Sequence, residues 1–202
     1  MFNKLGLLLV SALILFSSAI YAHEDRNVAA LNGYYLDGSL CLAAAEKAGE
    51  KYGVSYDLLQ TISAVESGKW NDLHNTYVAW PWTINVNGKG YYFESKEEAV
   101  KAVKKFQAQG YNSIDVGCMQ INLKYHGDAF ASVEEALNPD NNVQYSAKFL
   151  RSLYSRHGGD WKKAAKRYHS ANVKEGNIYA ERLEKRFNVY KSFGLSEEAE
   201  LF

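Results

Sequence analysis

From residue 38 onward, apolar positions recur mostly at the three- and four-residue spacing of amphipathic helices. Ser39 is placed to cap "LCLAAAEKAGEKY", which stops at Gly53, and Ser55 to cap "YDLLQTISAVES", which stops at Gly68. Val54 before that second cap predicts a hydrophobic staple onto Leu59. One stretch breaks the helical period. In "WPWTINVNGKGYYF" (80–93), Trp82, Ile84 and Val86 alternate with polar residues, and "NGKG" is turn chemistry, which predicts a β-hairpin. "SKEE" (95–98) has capping-box spacing and opens a helix to about Gln109, stopped by Gly110. "SIDVGCMQIN" (113–122) has no helical period and predicts a short strand or ordered loop. "SVEEAL" (132–137) predicts a short helix stopped by Asn138-Pro139. Asp140 then caps a helix to His157, with Val143, Ala147, Leu150 and Tyr154 on one face. Asp160 caps "WKKAAKRYH", in which Trp161, Ala164, Ala165 and Tyr168 share a stripe. A last helix is expected at about 178–193, burying Tyr179, Leu183, Phe187 and Tyr190, and 194–202 is expected to be a flexible tail. The fold class is mainly α, with a small β-hairpin insertion.

The first 22 residues read differently. Lys4 precedes an apolar run, "LGLLLVSALILF" (5–16), and "SSAIYA" (17–22) supplies small residues before the polar "HEDRN". This is the pattern of a secretory signal cut after Ala22, with Ala19 as the alternative. The run is short of the ~20 residues a membrane span needs. Residues 23–37 then form an N-terminal extension, and the product is expected in the periplasm or outside the cell, with no membrane span after cleavage. That compartment colours the two cysteines: Cys41 and Cys118 read first as one disulfide, and otherwise as two buried thiols.

Charge narrows the partners. Twenty-three basic residues balance 23 acidic ones, so no global basic field points to nucleic acid. Aromatics make up 14% of the chain, with 15 Tyr, which fits either a Tyr-rich core and rim or a surface that stacks on sugars. His74, His126, His157 and His169 have no metal-ligand spacing, and no metal or other cofactor is expected.

One residue is out of place. At about 100° per residue, Glu66 falls on the same helix face as Leu59 and Ile62. An ionised carboxylate on a buried face is costly, so the group should hold its proton. The negative helix end acts in the same direction. A carboxyl protonated near neutral pH is what a general acid requires. The other reading is a structural Glu paired with a buried Arg or amide, or one exposed because the stripe ends a turn earlier.

"ESG" at 66–68, "GCMQIN" at 117–122 and "RYHSA" at 167–171 resemble, in order and spacing, the motifs of the soluble lytic transglycosylases, over roughly residues 38–190. The resemblance implies a lysozyme-like helical domain, here bounded at 38–193, that cleaves peptidoglycan glycan strands. It implies Glu66 as acid/base, and Ser67, Gly117, Met119, Gln120, Asn122 and Tyr168 as residues of the glycan site, with Tyr168 hydrogen-bonded to Glu66. Gln120 would offer an amide to an N-acetyl group, Gly117 would let backbone approach the sugar, and Met119 would form an apolar wall. Two positions depart from the family pattern: Cys118 replaces an aliphatic residue, and His169 stands where an Asn is common. The family's reaction expels the leaving sugar and closes the muramyl 6-hydroxyl onto C1, giving a 1,6-anhydro end. Two alternatives stay open. Asp115, if it faced the cleft, could position a water for a lysozyme-type hydrolase; otherwise it is a turn or surface residue. Or the domain is a non-catalytic glycan-binding module of an envelope machine with a protein partner.

Overall fold

The computed structural model describes residues 38–72, 75–196 and 198–202; the expected signal segment and N-terminal extension lie outside these residues. The first helix described, α1, covers 38–52, and Gly53 ends it in the left-handed region at φ 62°. Ser55 caps α2 (Tyr56–Ser67), its Oγ accepting from Leu58 N at 3.3 Å. Leu58, Leu59 and Ile62 of α2 meet Ala44, Ala45 and Ala48 of α1 in one core. The small alanine face lets α1 lie close to α2.

Two small antiparallel sheets follow. β1 (Gly68–Asn71) pairs with β2 (Thr76–Ala79). β3 (Thr83–Val86) and β4 (Lys89–Tyr92) form the expected hairpin, turning through Asn87 and Gly88, both at positive φ as a two-residue turn demands. β5 (Ile114–Val116) and β6 (Ile121–Asn122) extend that hairpin to the order β4-β3-β5-β6. Between β4 and β5, α3 (Lys96–Ala108) starts at Ser95, which accepts from Glu98 N, while Glu98 reaches back to Glu94 N.

The remaining helices wrap the core. α4 (Leu123–His126) and α5 (Val133–Ala136) are single turns. α6 (Pro139–Arg156) is capped by Asn138, which accepts from Asn141 N at 3.1 Å, and not by Asp140 as expected. The reason is Pro139: its fixed φ suits the first helical position, which moves the cap one residue ahead of it. α7 (Trp161–His169) is capped by Asp160. α8 (Val173–Ser192) begins five residues earlier than the expected 178, capped by Asn172. Gly176 in its first turns reads as a breaker in sequence. In space it allows close approach to α7, since a Cβ there would sit 3.1 Å from Lys166 Cβ.

The flexible tail is a second correction. Ser196 Oγ donates to Asp57 Oδ2 at 2.7 Å, Ser55 Oγ donates to Glu198 Oε1 at 2.7 Å, Leu201 is buried, and Phe202 packs on the core. Two apolar residues at its end give this segment a reason to fold back. Cys41 of α1 and Cys118 are joined in a disulfide, with Cα atoms 5.7 Å apart. No helix of the described residues is long and apolar enough to cross a membrane.

Candidate active site

A cleft of about 450 Å³ opens between the four-stranded sheet and helices α2, α6, α7 and α8. That is the size range of small-ligand sites. Glu66 stands in it, one turn beyond the fully buried Ile62. Its side chain keeps 16% exposure, so the carboxyl is shielded yet reachable. Burial is the main cause that raises its pKa from 4.5 to about 7; Tyr179 and the charge of Arg182 pull it down, and Asp115 adds to the rise. The Tyr179 hydroxyl lies beside the carboxyl as a partial hydrogen-bond donor. It falls short of full hydrogen-bond geometry, which leaves it a buried phenol without a strict partner. His169 Nδ1 is 3.9 Å from Glu66 Oε1, and its ring stacks on Tyr179 with centroids 4.2 Å apart and planes 3° off parallel. Burial and Arg182 lower the His169 pKa, so at neutral pH it faces Glu66 mainly as the neutral ring.

The opposite wall follows from strand pleating. Asn85 of β3 is opposite Asp115 of β5, and Asp115 is opposite Asn122 of β6. Side chains alternate across a sheet, so these three share one face, and all three line the cleft. The alternate positions Ile84, Val86, Ile114, Val116 and Ile121 face the interior and are buried. Asn122 Nδ2 donates to Asp115 Oδ1 at 2.7 Å and to Ser113 Oγ at 3.0 Å. Partial burial raises the Asp115 pKa, and the Asn122 bond opposes the rise.

Between β5 and β6 the chain turns through Gly117 (φ 79°) and Gln120 (φ 47°). Asn142 of α6 holds this turn. Fully buried, it accepts from Met119 N at 2.9 Å and donates to Val116 O and Ala136 O at 2.9 and 3.0 Å. Ser67 ties the same turn to α2, donating to Cys118 O at 2.8 Å, and the disulfide ties it to α1. Three elements thus fix one turn.

A family model for the transglycosylase SLT domain matches residues 43–190. The chain belongs to the SLT transglycosylase family. No curated protein and no solved structure matches it significantly. The fold described above is the mainly α, lysozyme-like one, and the family supports lytic transglycosylase-type activity on peptidoglycan.

Within this SLT domain the residues expected at the glycan site separate into two groups. Gln120, Asn122 and Tyr168 line the cleft with Glu66. Ser67, Gly117 and Met119 do not. Ser67 and Met119 are fully buried. Gly117 makes room for Asn142, whose Nδ2 would lie 2.6 Å from a Cβ at 117, so its freedom serves the scaffold. Tyr168 is also corrected in its bond: its hydroxyl donates to Met119 O at 2.7 Å and lies 3.2 Å from Ser146 Oγ, and Tyr179 takes the place at Glu66. Gln120 spends its amide donor on Thr83 O and Gly117 O, which leaves Oε1 to face a ligand. Asp115, weighed as a turn residue, is a strand residue in the cleft.

The SLT domain also uses groups the sequence reading passed over. Tyr179 was assigned to the core stripe, and it is core, but its polar end emerges at Glu66. Arg182 is three residues further along α8 and lines the same cleft. Asn142 adjoins the apolar face begun by Val143, a place that carries no sign of its partners in the turn. The aromatics divide between two places: Trp80, Tyr179 and Tyr190 are buried, while Tyr125, Phe149 and Tyr168 line the cleft.

Proposed function

We propose that this SLT domain cleaves the β-1,4 bond between MurNAc and GlcNAc by transglycosylation, with Glu66 as acid and then base. The observation that carries the reading is Glu66 itself, a shielded carboxyl with a pKa of about 7, open to a cleft in a domain of this family. In the first step Glu66 gives its proton to the glycosidic oxygen, and the C1–O bond breaks with the pair leaving on the GlcNAc 4-hydroxyl. The muramyl 2-acetamido oxygen stabilises C1 from the other face, so one carboxyl suffices where most glycosidases need two. In the second step the ionised Glu66 takes the proton of the muramyl 6-hydroxyl as its oxygen bonds to C1. Glu66 regains its proton, no water is consumed, and the strand ends in a 1,6-anhydro ring. Gln120 Oε1 is the acceptor for an N-acetyl N–H.

The Cys41–Cys118 bridge supports a site of action outside the cytoplasm, in the periplasm or secreted. The part of this reading in cell-wall remodelling follows from the substrate. A hydrolase of the same bond has one observation in its favour: Asp115 shares the cleft and could orient a water. Mass spectrometry of peptidoglycan digested by the purified protein decides. Anhydro-muramyl ends are expected. Hydrated ends would establish the hydrolase, and intact strands would leave a glycan-binding module.

A further inference from the structure

We propose that a groove beside the cleft, walled by Arg182, Lys185, Arg186 and Tyr77, binds the carboxylates of the peptide stems that a peptidoglycan strand carries. This rests on the preceding reading, since it assumes the muramyl residue occupies the cleft.

The groove has about 460 Å³ and a floor of Ala64, Val65 and Gly68. Positions 182, 185, 186 and 189 recur at helical spacing, which turns one face of α8 toward it. Val65 and Arg182 line both this groove and the cleft of Glu66, so the two spaces adjoin. No carboxylate among the described residues lines the groove, although Arg182 also acts on Glu66 in the adjoining cleft. Among the described residues, Arg182, Lys185 and Arg186 make no side-chain ion pair or hydrogen bond. Elsewhere on the surface, Lys47, Lys104 and Lys162 each meet a carboxylate. Nor is this a local view of a basic protein, because the formal net charge is zero. Arg186 is also held in place. Its guanidinium carbon is 4.7 Å from the centre of the Tyr77 ring, and its Nε is buried with no acceptor. Tyr77 in turn is fixed to α8 by its carbonyl, which accepts from Tyr190 Oη at 2.8 Å. The buried Nε is closed to a ligand, but a guanidinium held on a ring at the wall of a groove is pre-organised to present its other N–H groups to a carboxylate.

The ligand chemistry follows from the substrate. The glycan itself is neutral apart from its stems. The negative charge of peptidoglycan is on the stem carboxylates, and each stem starts from the lactyl group at C3 of the muramyl residue, on the same ring as the scissile C1. A strand seated with its muramyl C1 at Glu66 carries its carboxylates within that ring's reach, and the adjoining basic groove is where they meet opposite charge. The groove would then select peptide-bearing strands over stripped ones.

The test separates binding from cleavage by using Glu66→Gln protein throughout. Its affinity is measured by calorimetry at low salt for three soluble probes: uncrosslinked strands with stems, the same strands with stem carboxylates amidated, and strands stripped of stems by an amidase with the lactyl carboxylates so freed then amidated. Strands with free carboxylates should bind about three- to tenfold more tightly than either other probe, and the preference should fade at high ionic strength. Adding Lys185→Gln and Arg186→Gln should erase the preference and leave affinity for stripped strands unchanged. Lys185→Glu, at an exposed position that cannot unfold the domain, should reduce it alone. Equal affinity for all three probes, or a preference that survives these substitutions, would overturn the proposal. Stem-dependent binding by a protein whose Glu66 form releases no fragments would keep the groove and remove the transglycosylase reading.

Discussion

The two walls of the cleft are built on opposite terms. On the sheet side, polar groups are satisfied inside the protein: Asn122 holds Asp115, Gln120 spends its donor on two carbonyls, and Asn142 uses two bonds to pin the turn between β5 and β6 and a third to tie it to Ala136 O of α5. On the helical side, groups are left open to the cleft: Glu66, shielded and with a raised pKa, Tyr179 without a strict partner, and the exposed Arg182, whose charge acts on Glu66. A satisfied polar network makes a wall rigid, whereas an unsatisfied one stores chemistry for a ligand. The contrast teaches that a motif can mark a site by holding it in shape. Most of "GCMQIN" is scaffold, and the reactive groups come from helices whose sequences look like ordinary core.

The largest effect should come from breaking the helical side at Glu66. Glu66→Gln should fold and lose about 10²–10⁴ in turnover, the usual worth of a general acid. It should also change how stability depends on pH. A carboxyl whose pKa rises from 4.5 unfolded to about 7 folded favours the native state fully below about pH 4.5, and that contribution is lost as pH climbs through 7. By pH 8.5 the loss amounts to roughly 2–4 kcal/mol, from about 1.4 kcal/mol per unit. Glutamine escapes it. Chemical denaturation should therefore find the variant close to the parent at pH 4 and the more stable of the two at pH 8.5. A gap that does not widen with pH would mean Glu66 is not buried as an acid.

The scaffold side should break differently. Removing the Cys41–Cys118 bridge, which closes a separation of 77 residues, should cost up to about 4 kcal/mol by chain entropy. Free-thiol titration of unfolded, unreduced protein should find no reactive thiol. Asn142→Ala strands a buried N–H and carbonyls and should cost about 3 kcal/mol. It touches no group facing Glu66, so the pH profile of the folded fraction should stay in place. An Asn142→Ala protein with parental stability but an altered profile would invert the assignment of the two walls.

These cases also show what was legible in the sequence. Most caps and the hairpin were readable because each depends on a few neighbouring residues: Ser55, Ser95, Ser132, Asp160 and Asn87-Gly88 do locally what their chemistry dictates, whereas Ser39 lies inside α1 and Pro139 moves the α6 cap from Asp140 to Asn138. Glu66 was readable because it violates the periodicity around it. What escaped depends on contacts distant in sequence. Nothing near Asn142 reveals that its amide meets a turn 23 residues earlier. Gly117 and Met119 have the composition of a ligand-lining loop, and only the packing of α6 beneath them reveals their service to the core. The start of α8 was missed because Gly176 signals a break unless the approach of α7 is known.

The smallest expected effect bears most directly on the comparison, because it sets one tyrosine from each arrangement against the other. Tyr168 reaches into the scaffold: its hydroxyl donates to Met119 O at 2.7 Å. Tyr168→Phe strands that carbonyl and should cost about 1 kcal/mol of stability, the worth of one such bond, and leave the pH dependence of the rate alone. Tyr179 faces Glu66 as an incomplete donor, and its influence holds the carboxyl's pKa down. Tyr179→Phe removes that influence, so the pKa of Glu66 rises and the alkaline limb of the rate profile, where the acid loses its proton, moves to higher pH. A full hydrogen bond of about 1 kcal/mol would correspond to roughly 0.7 unit, and an incomplete one to a few tenths. Stability should barely change, because the hydroxyl gives up no strict partner. Denaturation and pH–rate profiles on the two variants side by side read both quantities. If instead Tyr168→Phe moves the limb and Tyr179→Phe does not, Tyr168 is the phenol that tunes Glu66, as the sequence reading expected. The tuning would then come through the sheet-side turn, and the helical side would lose its distinction.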